Sequence, residues 1–286
     1  MTKIPTHRPA QAQHFRISVR EAEALIASHM PLAPAVTVPI EAAIQRVLRQ
    51  TVTAERDQPP FNRATMDGIA ISGNDNSQRE FQLAGTQAAG QARVKLPAAS
   101  CIEVMTGAVV PAGADTVIPV ERVLVTEASA AIEAGYDYQQ GQFVHLRGSD
   151  HQQGAVLLEP GMTIGPPEMA VLAAAGQPAV MVSKTPTVAV VSTGDELVDV
   201  GAPISASQIR SSNDRALAAA LQQAGIDSVS RHSFKDDAGQ LRTGIAKLLE
   251  QNDMLVLSGG VSMGKYDYLP QVLAELGIEV VFHKIT

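Results

Sequence analysis

The chain has 286 residues, of which 45% are hydrophobic, so it can bury a sizeable core and is long for one compact domain. A formal charge of −7 and a sequence pI near 5.5 argue against a general nucleic-acid binder, which carries a basic face. One cysteine, Cys101, rules out an intrachain disulfide and a cysteine-cluster zinc site. Aromatics make up 3% and Trp is absent, so Val, Ile, Leu and Ala must build the core. Met1 to Arg20 has no apolar signal-peptide core, and no stretch approaches the roughly 20 apolar residues that span a bilayer. A soluble, cytoplasmic, multidomain protein is expected.

Residues 1–14 lack hydrophobic periodicity and read as a disordered tail. Ser18 and Glu21 form a capping box ahead of a helix that presents Ala22, Leu25 and Ile26 and ends before Pro31. A second helix is expected over Ile40 to Arg49, with Ile44, Val47 and Leu48 on one side. From Gln58 short β-rich segments take over: Gly68 to Ile71, Cys101 to Met105 and Asp115 to Val120. They imply a small β-domain over 58–145. A Gly/Pro-rich stretch follows, with one helical piece from Glu168 to Ala175.

After Pro186 strands alternate with helices. Strands are expected at Thr187 to Val191, Ile226 to Ser230, Met254 to Leu257 and Ile278 to Phe282. The first helix is capped by Ser212 or Asn213, carries Leu217 and Leu221, and is closed by Gly225. The second starts from a capping box at Asp237 and Gln240 and carries Leu241, Ile245, Leu248 and Leu249; the third runs from Tyr268 to Leu276. This is the grammar of a parallel, doubly wound α/β sheet, in which ligands bind beyond the carboxyl ends of the strands.

Two loops occupy that edge. Ser192 to Glu196 follows the first strand, where Gly194 permits a sharp turn while Thr193, Asp195 and Glu196 offer oxygen ligands. Ser258 to Gly264 follows Leu257; Gly259, Gly260 and Gly264 with Ser258 and Ser262 suit close backbone approach to a phosphate or similar oxyanion. Asp195, Glu196, Asp236, Asp237 and Asp267 would cluster there and suit a hard cation such as Mg²⁺. The plainer reading makes Asp237 a helix N-cap and Asp267 a partner of the helix dipole. Asp67-Gly68 can likewise be only a turn, and Thr106-Gly107 is turn-like. Cys101 reads as a buried, inert thiol, and the seven histidines show no metal-binding spacing.

Several segments resemble one family. Pro59-Pro60-Phe61 with Ala64 to Ala70 resembles its PPF…SAMDGYA segment, and Thr106 to Ala108 with Pro111 to Val117 its TGAxxPxGADTVV segment. Arg147 to Asp150 is similar to RGED, with Ser149 in place of the acid, and Gln208 to Asn213 is similar to GQIYDSN. Ser192 to Leu197 matches STGDEL, and Ser258 to Gly264 with Tyr266 to Tyr268 matches SGGVSxGxYDY. Arg63 and Ile69 replace the family's usual small residue and Tyr. The family is the molybdopterin molybdenumtransferases, which includes the matching domain of gephyrin.

The resemblance implies a MogA-like α/β domain over 187–286, an inserted β-domain over 58–145, and a discontinuous, elongated linking domain over 15–57 and 146–186. It implies a homodimer whose site lies between the α/β domain of one subunit and the β-domain of the other. The substrates would be molybdate and adenylylated molybdopterin, received from a molybdopterin adenylyltransferase, with no nucleic acid and no membrane involved. AMP would be released in a divalent-cation-dependent reaction that leaves molybdenum on the dithiolene. Carried over by motif, Asp67, Thr106, Glu196, Asp267 and Lys284 would be catalytic. Thr193, Gly194, Asp195, Ser258, Gly259, Gly260, Ser262 and Gly264 would bind substrate. Glu196, Asp236 or Asp237, and Asp267 would hold Mg²⁺. The family runs on into a basic Pro-Gly-Lys-Pro segment and a C-terminal β-domain, neither of which precedes Thr286. The alternative reading is therefore a non-catalytic pterin-binding or scaffolding relative.

Overall fold

The structure, a computed structural model, describes residues 14–74, 77–259 and 268–286. It divides into two compact units, one of Met1–Arg49, Thr163–Gly165 and Ala179–Thr286, the other of Gln50–Met162 and Pro166–Pro178.

The second unit is built on a six-stranded sheet in the spatial order Thr116–Pro119, Gly68–Ile71, Ser100–Val104, Glu80–Gln87, Ser129–Ile132, Val123–Val125. All neighbours are antiparallel except Ser100–Val104 with Glu80–Gln87. Period-2 alternation explains why Gly68–Ile71 is buried throughout. Ile69 and Ile71 join Phe81, Cys101 and Ile118 in one cluster, while Ala70 joins Ile102, Val104 and Val117 in another. Both faces are covered, so the strand reads as an unbroken apolar run. The expected helix near Glu168 is present as Pro166–Ala174, with prolines in the first turn where an N–H has no intrahelical partner anyway.

In the first unit, Ser18 and Glu21 form the expected capping box of the helix Val19–His29. Only Ala22 of its expected apolar face is buried; Ile26 is half exposed. The expected helix over Ile40 to Arg49 is absent. A single 3₁₀ turn, Ile40–Ala42, is followed by chain that bonds across to other strands: Gln45 N–H to Ile164 O at 2.8 Å and Arg49 N–H to Met181 O at 2.8 Å. The strand Ala35–Pro39 pairs antiparallel with Ala179–Ser183, and Leu48 extends the pairing through a bridge to Val182. Long-range pairing buries Leu48 and leaves Ile44 and Val47 exposed, overriding the local helical spacing.

The α/β part of this unit has β1 (Val188–Thr193), α1 (Asn213–Gln223), β2 (Val229–Phe234), α2 (Ala238–Gln251), β3 (Met254–Ser258) and α3 (Leu269–Glu275). The sheet order is β2-β1-β3, all parallel, with Ser192 opposite Ser258 at the carboxyl ends. Every residue of β1 is buried, as expected for a central parallel strand. Leu241 and Ile245 of α2 pack with Leu269 and Val272 of α3.

Two strand expectations shift. The one placed at Ile226 to Ser230 begins at Val229, because α1 closes in a Schellman motif: Gly225 (φ +83°) donates to Gln222 O and Ile226 to Leu221 O, both at 3.0 Å. Ile226 is therefore held by the helix end. The one placed at Ile278 to Phe282 is Phe282–Ile285, which pairs in parallel with His14–Ile17 and not with the three-stranded sheet. His14 thus opens a strand, while the rest of the expected tail, 1–13, lies outside the described residues. Among the described residues no helix is long and apolar enough to cross a membrane.

Candidate functional site

In the β-rich unit the two residues singled out from distant segments meet. Asp67 Oδ1 accepts from the Thr106 backbone N–H at 2.6 Å and from Thr106 Oγ1 at 2.8 Å. Both residues are exposed, at the end of Gly68–Ile71 and just past Ser100–Val104, which pair with each other. The backbone bond and then the hydroxyl bond hold the Asp67 carboxyl below the usual carboxylate range. Cys101 is packed inside the same unit, and burial pushes its thiol up to about 11, so it is not a nucleophile near neutral pH.

In the α/β unit the order β2-β1-β3 creates a switch point between β1 and β3, where ligands bind in doubly wound sheets. Thr193 and Gly194 end β1 there, and Ser258 and Gly259 end β3. Gly259 has φ +93°, and a Cβ on it would lie 2.6 Å from Thr193 O and 3.0 Å from Thr193 Oγ1, so only glycine lets the loops approach this closely. Thr193 is buried, at 6% exposure, and its Oγ1 has no hydrogen-bond partner among the described residues. An orphaned buried hydroxyl costs free energy, about 1–3 kcal/mol, unless a ligand or water satisfies it.

The carboxylates gather beside it. Glu196 folds back against Gly194, whose Cβ would lie 2.6 Å from its carboxylate, and Gly194 N–H reaches Phe234 O at 3.2 Å. Asp236, just beyond β2, is half-buried; burial first, then the charges of Asp195 and Glu196, push its carboxyl above the usual range. The Lys235 ammonium donates to Asp195 O at 3.1 Å. Asp237 is separated from this group in role: its Oδ1 accepts from Gln240 N–H at 2.8 Å as the N-cap of α2. The reciprocal half of the expected capping box is replaced by Asp237 N–H donating to Lys235 O at 2.8 Å. Among the described residues no three His, Cys, Asp or Glu side chains stand close enough to hold a metal by themselves. Gly260, Ser262, Gly264 and Asp267 lie outside the described residues. Lys284 sits in Phe282–Ile285, a strand that pairs with His14–Ile17 and is not a strand of the three-stranded sheet.

Asn213 was not singled out from the sequence as a site residue, yet its Nδ2 donates to Ser258 Oγ at 3.2 Å. The signal was its place at the head of a helix following the first strand of a parallel unit, in the Gln208 to Asn213 motif. A depression of about 410 Å³ lined by Thr187, Ser228, His232 and Gln251 contains none of the candidate residues.

Residues 17–176 match the family described as "MoeA N-terminal region (domain I and II)", and residues 189–286 match a "Probable molybdopterin binding domain". The chain is 35% identical over 272 residues to the molybdopterin molybdenumtransferase of Synechocystis, covering 94% of this chain and 70% of the relative. It is 32% identical over 276 residues to the Staphylococcus aureus protein of the same name, of which it covers 65%. The chain thus spans about two thirds of the length of these curated relatives. A crystal structure of the molybdopterin biosynthesis MoeA protein from Pyrococcus horikoshii superposes with a TM-score of 0.75 at 30% identity, covering 94% of this chain and 69% of that one. The chain belongs to the molybdopterin molybdenumtransferases, a family of transferases in molybdenum cofactor biosynthesis.

Proposed function

We propose that the protein inserts molybdenum from molybdate into adenylylated molybdopterin and releases AMP. The observation that carries this reading is the carboxyl edge of β1 and β3, where the buried Thr193 hydroxyl, without a partner among the described residues, and the close Gly259 turn lie at the switch point. Thr193 Oγ1, Ser258 and the backbone of Gly259 would donate to an oxyanion of the substrate, either a phosphate or molybdate. Asn213, already bonded to Ser258, would hold that hydroxyl in place.

The donors present suit a hard divalent cation. Glu196 and Asp236 offer carboxylate oxygens on an edge where burial first, and then the charges of Asp195 and Glu196, push the Asp236 carboxyl upward. With Asp267 they would hold Mg²⁺, which when bound would offset charge at the pyrophosphate. The protein's own groups orient the phosphoanhydride. Cleavage breaks the bond between the AMP phosphorus and the bridging oxygen, water supplies the new hydroxyl on AMP, and the pterin phosphate departs with the bridging oxygen. The Asp67 carboxylate, kept ionised by Thr106, would accept a hydrogen bond from substrate. A cytoplasmic homodimer fits this reading, with the Asp67–Thr106 pair serving the partner subunit's carboxylate loops and substrate passed on by an adenylyltransferase.

Incubating the protein with adenylylated molybdopterin, Mg²⁺ and molybdate, and quantifying AMP, tests the proposal. AMP formed in proportion to molybdenum-loaded pterin, and lost on chelation of divalent cations, is expected. Unchanged substrate would overturn it.

A further inference from the structure

One buried carboxylate stands next to the site without belonging to it. Asp214, in the first turn of α1, has a side chain 9% exposed. Its Oδ1 accepts from Ser211 Oγ at 2.8 Å and its Oδ2 from Arg231 Nη1 of β2 at 2.8 Å, with Arg215 Nη1 3.6 Å away. Arg215 continues the network, donating to Ser211 O at 3.0 Å and pairing with Asp199. Asp199 lies in the chain that leaves Glu196, and Arg210 donates to its carbonyl at 2.6 Å. That chain is pinned again where Leu197–Val198 runs parallel to Ile209–Arg210.

The N-cap of α1 makes this arrangement informative. Ser212 sits at the N-cap yet makes no side-chain capping hydrogen bond. The usual device for fixing a first helical turn is missing, and what fixes it is the ion-pair cluster around Asp214. Burial pushes the Asp214 carboxyl up, but hydrogen bonds from Ser211, Arg231 and Arg215 N–H outweigh it, so the group stays ionised and lies below the usual range. The neighbouring residue in the same turn is Asn213, which reaches Ser258 on β3.

We infer that Asp214 is a positioning residue. By gathering Ser211, Arg215 and Arg231 around one buried carboxylate it fixes the start of α1, so that Asn213 holds the Ser258 hydroxyl at the switch point. Through Arg215 and Asp199 the same carboxylate ties down the chain that carries Glu196. The inference rests on the functional reading above only for what Ser258 binds; the Asn213–Ser258 contact itself needs no substrate.

The experiment therefore has two arms. In the first, the side-chain amide of Asn213, assigned by its disappearance in Asn213→Ala, is followed by ¹⁵N NMR without ligand. Asp214→Asn, which keeps shape and loses charge, shifts that amide towards the position of an exposed asparagine. An unmoved amide overturns the inference. If Asp214→Asn does not fold, Arg231→Gln removes one arm of the same cluster from a partly exposed position and is read the same way, with the same expected shift.

In the second arm, Asp214→Asn raises KM for adenylylated molybdopterin about tenfold with kcat within about twofold, and the increase disappears in an Asn213→Ala background. The same increase in both backgrounds means Asp214 acts only on general stability, and overturns the inference. A wild-type protein that releases no AMP overturns the transferase reading instead, and the amide shift then decides this inference alone.

Discussion

Asp67 and Thr106 in the β-rich unit satisfy each other, whereas Thr193 and Asp236 at the α/β edge sit among groups that do not satisfy them. Asp67 spends one oxygen on two donors from Thr106, and its carboxyl is stabilised as the anion. At the ends of β1 and β3, Thr193 Oγ1 is buried without a partner among the described residues, and Asp236 is destabilised as the anion by burial and by Asp195 and Glu196. A group already paired is preorganised and pays nothing further when substrate arrives. A group left unpaired holds a debt that only an oxyanion, a cation or a water can settle. On the proposed function, one region would present fixed geometry and the other would provide most of the ligand's binding energy.

That contrast can be broken at several points. Glu196→Gln removes a charge from the unsatisfied edge and should lower AMP release by about 100-fold or more in steady-state assays, on the scale of losing one preorganised electrostatic contact. It should leave folding intact, since Glu196 is exposed. Gly259→Ala forces a Cβ to within 2.6 Å of Thr193 O at φ +93°. A loss of about 1–3 kcal/mol is expected from urea unfolding if the loop stays as it is, and a smaller loss would mean the loop relaxes.

The smallest effect belongs to the satisfied side. Thr106→Val removes the hydroxyl bond to Asp67 but keeps the backbone one, so the Asp67 pKa must rise towards its ordinary value. In wild type the folded carboxyl titrates lower than the unfolded one. Its stabilisation is present above the unfolded pKa and is lost as pH falls through the folded pKa; Thr106→Val narrows that window from below. Carboxyl ¹³C NMR titration reads the shift directly, and a titration midpoint unchanged by Thr106→Val would show that the backbone bond alone sets it.

Much of this was legible from residue order. The strand–loop–helix rhythm after Pro186 located the carboxyl ends of β1 and β3, because a parallel strand is a short apolar run and glycine marks its end. Asp237 as a helix cap was also readable, from its place before an amphipathic segment. The misplaced elements have two causes, one distant and one local. Ile44, Val47 and Leu48 have helical spacing, but pairing of Leu48 with Val182 is a contact between residues far apart in sequence, which no local window contains. Ile226 has β propensity, but the Schellman bonds at the end of α1 claim it first. The meeting of Asp67 with Thr106 depends on the antiparallel register Gly68 opposite Val104, and spacing alone could not supply it; the family resemblance did. Asn213 was visible in its motif, but its reach to Ser258 was not.

Thr193 is where ligand binding and folding can be told apart most directly. Replacing it with valine removes a buried hydroxyl that has no partner among the described residues and keeps the volume nearly constant. The direct measurement is urea unfolding of the ligand-free Thr193→Val protein alongside its KM for adenylylated molybdopterin. The account predicts stability unchanged or higher by up to about 1 kcal/mol, together with a KM raised about tenfold. A protein destabilised by more than about 1 kcal/mol with an unaltered KM would show that the hydroxyl serves the fold and not the ligand, contradicting the central claim.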